Sequence, residues 1–302
     1  MRLDESGSAI DFNYLSKKVG LPESAQDSAS VTEERRRLLT SWDTESNSPT
    51  ISVNTPHALV FDDELESGIL QNESLIPAVK ADYSTLLALL NNINRHRAVG
   101  PFQVPRILGA GGLVVYQPKG EVLLQVRNNS DNSGKLHVFG GNFEPNLKLP
   151  GQSFDANLKL NAERELHEET GAVLSVEGAM LLIHKERPGS FGGADKSTAS
   201  DLAKAHLPIH FLGVSLDQAQ YDRVLEIRAI HAEGRVIFLS LEELKEKLLQ
   251  PGQWVPAGWV TVMFWLFIGA PCSGGRKTFS SRKAKATFRE ILSGKKKRWF
   301  NF

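Results

Sequence analysis

Arg164-Glu165-Leu166-His167-Glu168-Glu169-Thr170-Gly171-Ala172 gathers four charged side chains and a glycine into nine residues. It has the form of the last turns of a helix, with Thr170-Gly171 supplying the left-handed residue on which helices commonly stop. At a helical period Glu165 lies three and four residues before Glu168 and Glu169, so three carboxylates project from adjacent turns of one face. Anions placed that way repel. A hard divalent cation such as Mg²⁺, Mn²⁺ or Ca²⁺ relieves the repulsion by taking clustered carboxylate oxygens, and it can then hold a pyrophosphate. Arg164, four residues before Glu168, braces that carboxylate as an ion pair. A Glu-rich helix end is also what a solvated surface looks like, so the setting of the stretch carries the weight.

Working outward, the apolar run Leu136-His137-Val138-Phe139 leads into Gly140-Gly141-Asn142-Phe143-Glu144-Pro145, where small residues let the backbone pass close to the helix. Before it, residues 109–116 and 121–127 are two β-rich runs split by the turn signal Gln117-Pro118-Lys119-Gly120, which predicts a hairpin. After it, strands are expected at 179–184, 207–214 and 235–239. Residues 188–204 read as a loop and residues 215–234 as a polar link. Ser240-Leu241-Glu242-Glu243 is a capping box on a helix running to Leu249.

Arg-Glu-Leu-x-Glu-Glu-x-Gly-Ala resembles the second half of the Nudix box, whose pattern is Gly, five residues, Glu, seven residues, then Arg-Glu-U-x-Glu-Glu-x-Gly-U with U apolar. The glycine-containing strand, turn and arginine-ended strand before it, and the strand with Leu-Ser-Leu-Glu-Glu-Leu after it, are similar to the family as well. Gly140-Gly141 and Glu144-Pro145 resemble the opening of the box, yet Gly141 lies about nine residues further from Arg164 than the pattern sets, so 146–154 reads as an insertion. The position of the family's upstream glutamate is Ala156, with Asp155 beside it.

The resemblance implies an α+β fold, a Nudix-type α/β/α sandwich with a mixed sheet, carrying N-terminal and C-terminal extensions. It implies metal-dependent hydrolysis of the pyrophosphate bond of a nucleoside diphosphate linked to another moiety, with Mg²⁺ or Mn²⁺ as cofactor. The metal ligands it implies are Glu168 and Glu169, then Glu165, with a backbone carbonyl near Gly140. Arg164 would orient Glu165 and Glu168, and the general base would be a box glutamate or a glutamate of the loop before the last strand, Glu226 or Glu233. Arg127, Gly141 and Glu144 would face the substrate. The interrupted box leaves an alternative, a catalytically impaired Nudix-fold module that binds a nucleotide or RNA.

The remaining sequence bounds the setting. The chain has 302 residues, and its 35 basic and 35 acidic residues balance, so the whole gives no electrostatic case for nucleic acid. A single cysteine, Cys272, excludes an internal disulfide, and the start lacks an apolar core; both fit the cytoplasm. Residues 1–80 are expected to be a mostly disordered polar leader, a composition that also suits secretion systems reading such leaders. Residues 81–105 are expected to carry an amphipathic helix, Ser84 to Arg97, packing on the core, and the resemblance implies a Nudix domain over 106–271. Trp259 to Ile268 is too short to cross a bilayer, which takes roughly 20 residues, and reads as a buried helix. In the basic tail, 272–302, cations cluster from Arg276 to Arg298 beside Trp299, Phe300 and Phe302. Such a tail suits RNA, an anionic membrane surface, or plain solubilisation without order.

Overall fold

The computed structural model describes residues 2–4, 12–21, 33, 36, 56–61, 75–82, 84–86, 88, 89, 92, 105–128, 132–144, 154–184, 206–227 and 234–299. Strands β1 (Arg2–Asp4) and β3 (Leu75–Pro77) pair with each other in parallel, and helix α1 spans Phe12–Val19. The main sheet contains β2 (Pro56–Val60), β4 (Val79–Asp82), β5 (Arg106–Tyr116), β6 (Glu121–Arg127), β7 (Leu136–His137), β8 (Phe139–Asn142), β9 (Met180–Ile183), β10 (His206–Ser215) and β11 (Gly234–Leu239). Helices follow as α2 (Phe154–Thr170), α3 (Gln218–Ile227), α4 (Leu241–Leu248), α5 (Pro256–Phe267) and α6 (Ser281–Trp299).

The sheet order is β11-β6-β5-β10-β9, with β7 added to β6, β8 and β2 to β5, and β4 to β2. β5 and β10 run parallel while their other neighbours are antiparallel, so the sheet is mixed. β5 is its axis. Its first half pairs with β8 through Gly109 to Gly112 and its second with β6 through Val114 to Tyr116, while β10 follows it from Ile107 to Val115 along the opposite edge. A strand so placed is covered on both faces, which is why Ile107 to Tyr116 reads as a nearly continuous run of small and apolar residues.

One face of the sheet packs Phe139, Leu158, Ala162, Leu166, Phe211, Val214, Tyr221 and Val224 under α2 and α3. The other packs Leu113, Val122, Leu124, Trp254, Val262, Trp265, Leu244 and Ile291 under α4, α5 and α6. Helices on both faces of a mixed sheet give the α+β sandwich expected from the sequence. The hairpin is present, with Gln117–Lys119 as one 3₁₀ turn between its strands. The capping box is present too: Ser240 N–H donates to Glu243 Oε2 at 2.8 Å and Glu243 N–H to Ser240 Oγ at 3.4 Å. The buried helix expected from Trp259 starts at Pro256, whose ring suits a first helical position.

Three readings are corrected. Within the leader, Leu15, Val19, Leu21, Leu59, Phe61, Val79 and Ala81 are buried with Leu86, Leu89 and Ile107 in one cluster, because β2 joins the edge of β5 and carries β4 with it. Short apolar runs within polar surroundings gave no sustained period, and only a partner strand makes them core. Of the helix expected at Ser84 to Arg97, the described residues 84–86, 88, 89 and 92 are helical and buried. The polar link holds α3, which buries Tyr221 and Val224 at helical spacing and starts where Gln220 N–H donates to Asp217 Oδ1 at 2.8 Å. The basic tail holds the helix α6 from Ser281 to Trp299: Ala284, Thr287 and Ile291 are buried, three small or apolar positions outnumbered by the cations around them. The insertion and the loop at 188–204 lie outside the described residues, apart from Phe154, which opens α2.

Candidate functional site

The site forms where α2 crosses β5 and β8. Ala110 and Gly111 of β5 face Gly141 and Gly140 of β8, and a Cβ on Gly111 would stand 2.2 Å from the Phe139 carbonyl oxygen. The two backbones therefore touch without intervening side chains, and α2 rests on them. The closeness is set by carboxylates. A Cβ on Gly141 would meet Glu165 Oε2 at 2.4 Å, so the space beside Gly141 belongs to that carboxylate.

Glu169 is buried, and both of its oxygens are engaged. Gly140 N–H donates to Oε2 at 2.6 Å, Gln125 Nε2 donates to Oε1 at 3.0 Å, and Arg127 Nη1 stands 3.5 Å from Oε1. Arg127 also donates to Gln125 Oε1 at 3.1 Å, which fixes the amide's orientation. Arg127, expected to face a substrate phosphate, is thus turned onto Glu169, and the Gly140 contact with the helix is made by its N–H. Arg164 gathers the other carboxylates: Nη1 donates to Glu168 at 2.9 and 2.8 Å, and Nη2 contacts Glu165 Oε1 and lies 3.3 Å from Glu144 Oε1. Burial opposes the guanidinium's charge, but Glu165, Glu168 and Glu144 outweigh it and hold its pKa above the ordinary value.

The helix end is fixed from three directions. Gly171 takes a φ of +67° and its N–H donates to His167 O at 2.7 Å. Thr170 Oγ1 donates to Leu166 O at 2.5 Å and accepts from Ala172 N–H at 3.2 Å. A Cβ on Gly171 would lie 1.6 Å from Ile227 Cδ1, so the end of α3 closes over the turn.

Two positioning groups were missed in the sequence. Gln125 is one. Asn161 is the other: it is fully buried on α2, accepts from Glu144 N–H at 2.8 Å and donates through Nδ2 to Glu144 O at 3.3 Å and Asn157 O at 3.0 Å. The available signal was an amide within an otherwise apolar buried face, at 125 in Val122-Leu123-Leu124-Gln125-Val126 and at 161 one turn after Asn157.

Glu226 does not join this group. It lies in the last turn of α3, exposed and paired with Arg223 at 3.1 Å, on a helix where a loop was expected. Glu233 lies outside the described residues. His167 is exposed, and His184 is on the opposite side of the sheet. There Thr261 Oγ1 of α5 lies 2.7 Å from His210 Nδ1 and 3.5 Å from His184 Nε2. Burial pushes His184 down to about 4, and burial with His184 beside it pushes His210 down to about 3.

Among the described residues no three acidic, histidine or cysteine side chains converge as a metal-binding group. The donor chemistry nevertheless fits a hard divalent cation. Glu144, Glu165 and Glu168 share one guanidinium, all offer oxygen, and the glycine cradle leaves room for the Glu165 carboxylate.

No family model and no curated protein matches the chain. Solved structures with a similar fold include a NUDIX hydrolase from Nitrosomonas europaea, at 17% identity and a TM-score of 0.36, covering 57% of this chain and 92% of that one. A MutT NUDIX hydrolase from Burkholderia pseudomallei is similar at 16% identity and a TM-score of 0.31, covering 52% and 95%. A bifunctional NMN adenylyltransferase/ADP ribose pyrophosphatase from Francisella tularensis, complexed with AMP and a Mn ion, is similar at 13% identity and a TM-score of 0.36, covering 61% and 49%. Within this chain the likeness lies in the half-box of residues 164–172. In that stretch, in the glycine pair opposite it and in the α+β sandwich that holds both, the chain resembles the Nudix hydrolases.

Proposed function

We propose that the chain hydrolyses the pyrophosphate bond of a nucleoside diphosphate linked to another moiety, using Mg²⁺ or Mn²⁺. The observation that carries this reading is the grouping of Glu144, Glu165 and Glu168 at the single guanidinium of Arg164, with Glu169 fastened beside them to Gly140. Glu165, Glu168 and Glu169 are the residues that would hold the metal. When bound, it supplies charge neutralisation for the diphosphate and a lowered pKa for the attacking water. The chain's own residues do the rest. Arg164 orients Glu165 and Glu168, Gln125 and Gly140 fix the rotamer of Glu169, and the rigid helix keeps the oxygens in register. Glu165 takes the proton of the attacking water, since it is buried against Gly141 and oriented by Arg164. The exposed Glu226, held by Arg223, is the weaker assignment, and Glu233 is the second candidate.

The test is a screen of nucleotide sugars, ADP-ribose, dinucleoside polyphosphates, NADH and oxidised nucleotides with and without Mg²⁺, repeated on Glu168→Gln. Glu168 is half exposed, so that variant keeps the fold. The expected result is hydrolysis by the parent and its loss in the variant. Mg²⁺ binding without hydrolysis of any of these compounds would overturn the reading in favour of a nucleotide-binding module.

A further inference from the structure

Helix α6 presents three flanks. Ala284, Thr287 and Ile291 are buried toward the body of the domain. Lys283 and Glu290, seven residues apart, face α4, where Lys283 lies 3.9 Å from Glu242 and Glu290 pairs with Lys245. The third flank carries Arg282, Lys285, Arg289 and Leu292, spaced three, four and three residues apart and all exposed. Among the described residues no acid pairs with these three cations. The helix's one acid is thus spent on the flank that faces the protein.

The same side of the molecule exposes apolar surface. Phe267, at the end of α5, is 52% exposed and Leu292 is 42% exposed. Phe267 packs at a tilt against Phe288 of α6, with ring centroids 5.3 Å apart, and against Phe264 at 6.2 Å. An ordinary solvated face would not leave the Phe267 ring and Leu292 out together, and a protein partner recognised by three unpaired cations would have to bring acids to that apolar surface. RNA takes cations and flat rings but gains nothing from Leu292. A bilayer takes all of them: apolar side chains enter the boundary between headgroups and acyl chains while cations meet the phosphates. In sequence Lys295, Lys296, Lys297 and Arg298 continue the same helix, and no described helix is long and apolar enough to cross a membrane.

We propose that the Arg282-Lys285-Arg289-Leu292 flank of α6, with Phe267 and Phe288, docks on an anionic phospholipid surface. The docking does not depend on the hydrolytic reading. The test is co-sedimentation of the full chain with vesicles of phosphatidylcholine alone and of phosphatidylcholine mixed with phosphatidylglycerol. Binding is expected only to the anionic vesicles, weakening as salt is raised. Changing Arg282, Lys285 and Arg289 together to Gln should lower it by about a hundredfold, and Phe267→Ser should lower it while leaving its salt dependence. Lys283→Gln, on the flank facing Glu242, should stay within about fivefold of the parent. Equal binding to both vesicles, no binding, an unaffected triple variant, or displacement from the vesicles by a single-stranded RNA oligonucleotide would overturn the proposal. All the altered side chains are exposed, and matched melting curves confirm that the variants fold.

Discussion

Replacing Glu169 by Gln removes one charge and one acceptor, and the structure makes the cost specific. The carboxylate takes Gly140 N–H on one oxygen and Gln125 Nε2 with Arg127 on the other. An amide has one acceptor and one donor end, so either Gly140 or Gln125 then faces an NH₂. Turning Gln125 over gives no relief, because its Oε1 already accepts from Arg127 and the turned amide would point its NH₂ at the guanidinium. One buried donor is left unpaired and a charge-assisted bond is lost, together about 3 kcal/mol of stability. Glu168→Gln, at a half-exposed ion pair, should cost no more than about 0.5 kcal/mol. Urea unfolding followed by tryptophan fluorescence measures both, and Gln125→Leu combined with Glu169→Gln gives the coupling. If Glu169→Gln unfolds with the parent's midpoint, the network around Gly140 does not hold the helix and the reasoning fails.

The remaining predictions concern the cradle, the insertion and acid stability. Gly141→Ala drives a Cβ against the end of the Glu165 side chain, so hydrolysis should fall by about a hundredfold or more with little change in melting temperature, whereas Gly140→Ala meets the Ala110 carbonyl oxygen at 2.8 Å and should lower the melting temperature itself. Deleting Leu147 to Gln152 should keep metal-dependent hydrolysis within about tenfold, a change of roughly 1.4 kcal/mol in the barrier; a complete loss would place a needed group in the loop. Burial lowers His57 and His184 to about 4 and His210 to about 3, from an ordinary 6.5. The unfolded chain therefore binds protons first, and the stability these neutral rings contribute is full above pH 6.5 and is lost as pH falls toward 4 and 3. Each group gives a slope of at most about 1.4 kcal/mol per pH unit, and replacing His184 by Phe should flatten it.

What the sequence made legible were features in which one residue type has one reason to be there. Gly171 after a run of carboxylates, Ser240 three residues before Glu243, and apolar runs on either side of Gln117-Pro118-Lys119-Gly120 each name their local structure without reference to a partner. What stayed hidden needs a partner to make sense. Gln125 and Asn161 drew no role from the sequence, because a polar side chain is judged there by its type, and their burial is intelligible only once Glu169 and the Glu144 backbone stand opposite. Ala284, Thr287 and Ile291 mark a buried flank, yet their small volumes are outweighed by the lysines and arginines on either side. His57 to Val60 is too short to show a period, and it becomes core by joining the edge of β5.

The contacts of α2 with residues 140–144 show what holds the carboxylates in place. Glu169 takes the N–H of Gly140, Glu165 fills the space over Gly141, Asn161 grips both backbone groups of Glu144, and Arg164 reaches its carboxylate. These contacts run from α2 to residues 140–144, and none uses the intervening residues. Phe143 adds a buried ring and an N–H donated to Leu108 O at 2.8 Å. With both arms fastened, a longer connection adds only closure entropy, and even a doubling of its length costs about 0.6 kcal/mol. A single lost contact in the buried network costs more. In this chain the carboxylates of α2 are held to residues 140–144 by these contacts. From the strand side, Glu144 reaches the same guanidinium as Glu165 and Glu168.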